Sequence, residues 1–270
     1  MATTYLAWTG TDGKLNVQPV PSSQQPVTLN QTSNQGPALA FYNNQLYLAW
    51  TGTDGKLNVI SSSDGTNWGN QATLGQTSNN APALIASSNL LSLVWTGTDG
   101  KLNLIFSSDG QTWVDQVTLS QTSSLAPASA AGPFQVQALA FTGANGILNA
   151  LCGMGIEMGP AAIFNGTSKQ APALAFYQGL LYIAWTDATG KLNVMPSPDG
   201  IHGGNQVTLN QTSSNGPALT GSSSSLSLAW SGTNNQLNVS FSSDGKVWGN
   251  PTTLNQTSKL APAITVGTFQ

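Results

Sequence analysis

The chain has 270 residues, 39% of them hydrophobic and only 6% charged, with a formal net charge of -3 at pH 7. Its seven basic residues are all lysines and are scattered, so no basic stripe is available to neutralise phosphates, which argues against nucleic acid and anionic membranes as partners. A single cysteine, Cys152, rules out an intramolecular disulfide and a cysteine-based metal cluster, and no apolar run reaches membrane-spanning length.

The first residues, Met1 to Trp8, lack a basic region followed by an apolar core, so the expectation is a soluble chain without a signal peptide, its compartment left open. Tyr5 to Thr9 reads as a strand that opens the chain in the middle of a repeat. The repeat is marked by Pro-Ala at Pro37, Pro82, Pro127, Pro172, Pro217 and Pro262, each 45 residues after the last, and six such units fill all 270 residues. A second marker, Trp-Thr-Gly-Thr-Asp-Gly-Lys-Leu-Asn, begins at Trp8, Trp50 and Trp95 and recurs in altered form at Phe141, Trp185 and Trp230. One whole domain, 1–270, is expected.

Within one unit, four strands are predicted: A (Pro37 to Tyr42), B (Gln45 to Thr51), C (Lys56 to Ser61) and D (Trp68 to Leu74). Asn43-Asn44, Thr53-Asp54-Gly55 and Ser63-Asp64-Gly65 separate them, and these residues tolerate the positive φ of tight hairpins. Two units depart: Pro19 to Ser23 replaces the Ser-Asp-Gly turn in the first, and Cys152 to Met158 replaces it in the fourth. The chain ends in an unpaired strand A, Pro262 to Phe269. Four antiparallel strands per 45 residues indicate an all-β, six-bladed β-propeller, its ring closed by pairing that last strand with the first blade.

Alternating strand direction sorts the loops onto two faces. One face gathers the Gln-Thr-Ser connections from D to A, the B to C turns and the Trp ending strand B. The other gathers the Ser-Asp-Gly hairpins. A sugar is bound by an aromatic platform together with amides and hydroxyls that donate and accept. The candidate ligand-binding residues are therefore Trp8, Trp50, Trp95, Trp185 and Trp230, with Asp12, Asp54 and Asp99, and with Gln31, Asn34, Gln76, Asn79, Gln121, Gln211 and Gln256 from the connections. A cleft between one blade's Trp and loop residues contributed by that blade or its neighbour is expected. The competing reading makes each Trp a wedge between blades and each Asp a turn former. The lone His202 reads as a surface turn residue and gives no metal site.

The hairpins at Ser62 to Trp68, Ser107 to Trp113 and Ser242 to Trp248 resemble the Asp-box of sialidases and related propellers, one residue shorter between Asp and Trp; the copy at Ser197 to Gly200 lacks the Trp. That resemblance implies a structural hairpin remote from ligand. Sialidase chemistry implies an arginine triad, and this chain has no arginine. Nucleophilic triads fail on its one histidine. As a whole, the chain resembles repetitive β-propeller lectins, which implies multivalent binding of cell-surface or free glycans between blades, no catalysis, no cofactor, and a monomer or small homo-oligomer. A scaffold for a protein partner and a repeat-derived or engineered propeller without ligand are the alternatives.

Overall fold

The structure, a computed structural model, describes residues 2–22, 24–154 and 157–269. Its unit is set by turn chemistry. Asn43 (φ 47) and Asn44 (φ 60) adopt the left-handed pair that a two-residue hairpin needs, so strand A of blade 2 (Ala38–Tyr42) folds directly onto strand B (Gln45–Thr51). At the next turn Gly55 (φ 79) permits the reversal into strand C (Lys56–Ser62), which places Trp50 opposite Asn58. Strand D (Ala72–Thr77) completes the sheet against C.

Strand D differs from the expected Trp68 to Leu74. Trp68 makes one isolated bridge to Ser62, and the Gly69 N–H bonds the Ser61 carbonyl, before the chain leaves the sheet and rejoins it at Ala72. Gln76 and Thr77 consequently lie in the strand, as do Gln31 and Thr32 in blade 1, and only Ser33 to Pro37 form the first connection. In the first blade Pro19 and Val20 extend strand C (Lys14–Val20); Ser23 lies outside the described residues. In the fourth, Cys152 lies in strand C (Ile147–Met154), which also pairs with Glu157–Met158, while Gly155 and Ile156 lie outside them.

The sheets form six blades around an axis. Ala263–Gly267 pairs antiparallel with Thr3–Thr9, Ala263 opposite Ala7 and Gly267 opposite Thr3, so the last strand supplies strand A of blade 1 and the ring is closed as expected. The six A strands surround the axis, and Pro37, Pro82, Pro127, Pro172, Pro217 and Pro262 rim its channel at one end.

Between the blades lie six apolar clusters, each shared by two neighbours. Trp50 belongs with Tyr5, Leu15 and Leu48 in the cluster of blades 1 and 2, and Trp95 belongs to that of blades 2 and 3. Burying each large side chain contributes about 1.5–3 kcal/mol, so the ring is held chiefly at blade boundaries. A polar latch repeats there. The serine of each Gln-Thr-Ser segment, and of Gly166-Thr167-Ser168 in blade 4, is buried and donates to the carbonyl ending strand B of the next blade: Ser33 to Thr51, Ser78 to Thr96, Ser123 to Thr142, Ser168 to Thr186, Ser213 to Ser231 and, across the closure, Ser258 to Thr9. No helix among the described residues is long and apolar enough to cross a membrane.

Candidate functional site

Strand-C register builds the site. Asn is a poor strand residue, yet Asn58 stands in the middle of C and is only 3% exposed. Its amide explains the placement: Oδ1 accepts from Thr73 Oγ1 at 2.7 Å and Gln71 Nε2 at 2.8 Å, and Nδ2 donates to the Lys56 carbonyl at 2.8 Å. One N–H remains for another acceptor. Gln71 uses its NH₂ on Asn58 and, at 3.0 Å, on Thr73, which leaves its carbonyl oxygen as an acceptor.

Asp54 sits above this network on the B to C turn, where Oδ1 accepts the Lys56 N–H at 3.0 Å. Gly52 makes the arrangement possible. A Cβ there would lie 2.7 Å from Asp54 Oδ1 and 3.0 Å from Asn58 Nδ2. Across the blade boundary, strand D of blade 1 contributes Gln31. Gln31, Trp50, Asp54, Asn58, Gln71 and Thr73 thus line one cleft of about 320 Å³. The next boundary repeats it with Gln76, Trp95, Asp99, Asn103, Gln116 and Thr118 around about 340 Å³. Both volumes suit a small ligand. In the second cleft Gln76 Nε2 reaches Gln116 Oε1 at 3.2 Å, an amide bridge across the opening.

The tryptophans require a correction. Trp8, Trp50, Trp95, Trp185 and Trp230 are 1–2% exposed, so their flat faces lie in the packing between blades and only a sliver of Trp50 and Trp95 reaches a cleft. They are wedges and cleft floor, and no open platform for a sugar. Asp12, Asp54 and Asp99 hold their turns and stay exposed. Asn34 and Asn79 are exposed on the connections and do not line either cleft; the Asn79 carbonyl accepts from Gln35 Nε2. Gln121, Gln211 and Gln256 are half-buried in the matching strand-D positions of blades 3, 5 and 6.

The six boundaries are not equivalent. Asn16 with Thr28 and Asp12 repeats the polar set in blade 1. In blade 4 Phe141 and Asn145 replace Trp and Asp, and Asn149 keeps the Asn but faces Ile163, 69% exposed, in the place of Thr73. Blade 5 moves its carboxylate two residues back: Asp187 binds Thr189, Lys191 and the Asn193 side chain, and Gly166 stands where Gln31 would be. Blade 6 keeps Asn238 and Thr253 but carries Asn234 at the Asp position. Sequence reasoning missed the Asn58, Gln71 and Thr73 set. The invariant Leu-Asn pair within a β-rich run carried the signal.

On the opposite face the hairpins are self-contained. Asp64 Oδ1 accepts from the Asn67 and Thr66 backbone amides at 2.7 and 2.8 Å, and these hydrogen bonds hold its carboxyl well below the usual carboxylate range. Asp109 behaves alike through Thr112 and Gln111. His202 is exposed and its Nδ1 lies 2.6 Å from Asp199 Oδ2. Among the described residues no group of three or more His, Cys, Asp or Glu could hold a metal.

No family model matches the chain and no curated protein matches its sequence. Solved structures do. A mutant of the Aleuria aurantia lectin in complex with Fucα1-6GlcNAc is 12% identical with a TM-score of 0.71, over 93% of this chain and 92% of that one. The fucose-specific lectin from Aleuria aurantia gives 13% and 0.72 over 94% and 92%, and the BP39L lectin from Burkholderia pseudomallei 15% and 0.67 over 92% and 79%. What they share with this chain is the fold. At such identity the shared fold carries no residue roles across.

Proposed function

We propose that this chain is a multivalent lectin that binds neutral glycans in the clefts between blades. One observation carries the reading: at the boundaries of blades 1 with 2 and 2 with 3, the same Gln, Asp, Asn, Gln and Thr side chains converge on a cleft of ligand size. Asp54 Oδ2 and the Gln71 carbonyl accept, the remaining Asn58 N–H donates, and the Gln31 amide does both, which matches adjacent sugar hydroxyls. A carboxylate with no cation among the lining residues disfavours anionic sugars. The solved neighbours with this fold include lectins in complex with fucosides, which supports a sugar as the ligand class.

Binding without catalysis follows from the same lining. Each cleft holds one carboxylate, Asp54 or Asp99, whereas glycoside hydrolysis takes a pair. Three contiguous boundaries, those entering blades 1, 2 and 3, carry Asp, the networked Asn and Thr together, so a glycan-bearing surface is gripped by one arc of the ring and avidity comes from simultaneous engagement.

Asp54→Asn keeps the turn, as Asn145 and Asn234 do in their blades, and removes the charge. A hydrogen bond to a charged group is worth about 1.5–3 kcal/mol, so the Asp12→Asn/Asp54→Asn/Asp99→Asn variant is expected to lose at least about tenfold in sugar-inhibitable binding on a glycan array. Undiminished binding by the folded variant would move the site elsewhere on the ring.

A further inference from the structure

Opposite the clefts, tyrosines and hairpins come in pairs. Tyr47 of blade 2 packs on Gly110 in the hairpin of blade 3, where an added Cβ would lie 2.3 Å from its ring, and its hydroxyl donates to the Asp109 carbonyl at 3.3 Å. Tyr182 does the same to Gly245 and Asp244 in blade 6. Tyr5 packs on Gly65 in blade 2 and stacks at a tilt on Phe41, ring centroids 5.8 Å apart.

The boundary of blades 4 and 5 breaks the rule from one side only. Blade 5 still presents the turn, Pro198-Asp199-Gly200 with Gly200 at φ 72. Blade 4, however, has Ala138 at the tyrosine position, paired with Cys152 as Tyr47 is paired with Ser61. Phe176 stands where Phe41 stands beside Tyr5, and a Cβ on Gly132 would touch it as one on Gly267 would touch Phe41. Cys152 takes part of the absent ring's place, its Sγ covering Gly200, and beside it remains an apolar cavity of about 220 Å³, bounded by Cys152, Phe176, Leu181, Pro198, Asp199 and Gly200. An apolar cavity of about 150 Å³ is enough to take benzene.

We propose that this cavity is a binding site for a phenolic ring, seated beside the place that tyrosine takes at the boundaries of blades 1 with 2, 2 with 3 and 5 with 6. The ring would lie against Phe176 and the Cys152 sulfur that covers Gly200, and its hydroxyl would donate to the Asp199 carbonyl, the acceptor equivalent to that of Asp109. Cys152 is a packing wall: burial, and then the Asp199 charge, push its thiol up, so the neutral form is favoured. The site lies on the face opposite the sugar clefts and stands independently of the lectin reading.

The test uses p-cresol, the tyrosine side chain with a methyl for its Cβ. Titrated into the whole protein, it is expected to give saturable amide NMR shifts at Gly200 and Leu181, nuclear Overhauser contacts from its ring to Phe176, and a rise in Tm. The Ala138→Tyr/Cys152→Ser variant rebuilds the blade 2 pair and is expected to abolish the shifts while melting higher than the parent without ligand. Toluene is expected to bind more weakly than p-cresol. No saturable shift in the parent, contacts at residues other than these, or toluene binding as tightly as p-cresol would each overturn the assignment. A variant that fails to fold leaves the Overhauser contacts and the p-cresol to toluene comparison in the parent to decide.

Discussion

Trp50 belongs to the core that blades 1 and 2 share and also floors the cleft between them, so its replacement tests folding before it tests binding. At 2% exposure, Trp50→Ala is expected to cost about 3–5 kcal/mol in a urea melt. A cost below about 1 kcal/mol would mean that the ring is not wedged as described. Gly52→Ala asks the complementary question. Its Cβ would lie 2.7 Å from Asp54 Oδ1, whose exposed end can swing away, and 3.0 Å from Nδ2 of the buried Asn58, which can give only slightly, so sugar binding is expected to fall more than Tm. Unaltered affinity would show that these two side chains do not meet the ligand. From sequence the Trp was legible as a marker but its role was not, because an aromatic at a strand end packs or binds by the same propensity. Asn58 was the reverse case: its oddity in a strand was visible, and its partners Gln71 and Thr73 required the register of strand D.

The hairpin element shows how local chemistry is reused as an inter-blade clasp. Gly110 needs a positive φ of 74 and also receives the Tyr47 ring, so Gly110→Ala is expected to destabilise by more than about 1 kcal/mol, and Tyr47→Ala in the same protein should relieve part of that strain. Additive effects in the double variant would contradict the clasp. Turn hydrogen bonds also set an acid limit. Asp64, Asp109 and Asp244 are each depressed, chiefly by backbone amides of Asn67, Thr112 and Val247. A depressed folded pKa stabilises fully above the unfolded value near 4 and is lost as pH falls below it. Tm should therefore drop on acidification from about pH 5 to about pH 3, and drop less in the Asp64→Asn/Asp109→Asn/Asp244→Asn variant. Turn residues had announced all of these hairpins in the sequence. Strand D had not been placed correctly, since Trp68 reads as a strand residue and in fact makes a single isolated bridge before the strand begins.

At the scale of the molecule, the 45-residue spacing already implied the ring, and the orphan strand at the end implied its closure, because an unpaired edge would otherwise remain. Closure is double: strand Ala263–Gly267 joins Thr3–Thr9, and the Ser258 hydroxyl joins the Thr9 carbonyl at 2.9 Å. What repetition concealed was inequality among the boundaries. Ile163, Gly166 and Asn234 each change one cleft, and Ala138 empties a tyrosine position on the far face, so six similar units yield an arc of like clefts, the proposed sugar sites, and one cavity of another kind.

Isothermal titration of the purified ring with a monovalent neutral glycan chosen from an array bears most directly on that arc. Binding at the three boundaries that carry Asp12, Asp54 and Asp99 on the B to C turn, to a stoichiometry of three sugars per chain and lost in Asp12→Asn/Asp54→Asn/Asp99→Asn, is the expected result. Six sugars per chain, or the same heat from the triple variant, would contradict the assignment of the Asp-bearing clefts.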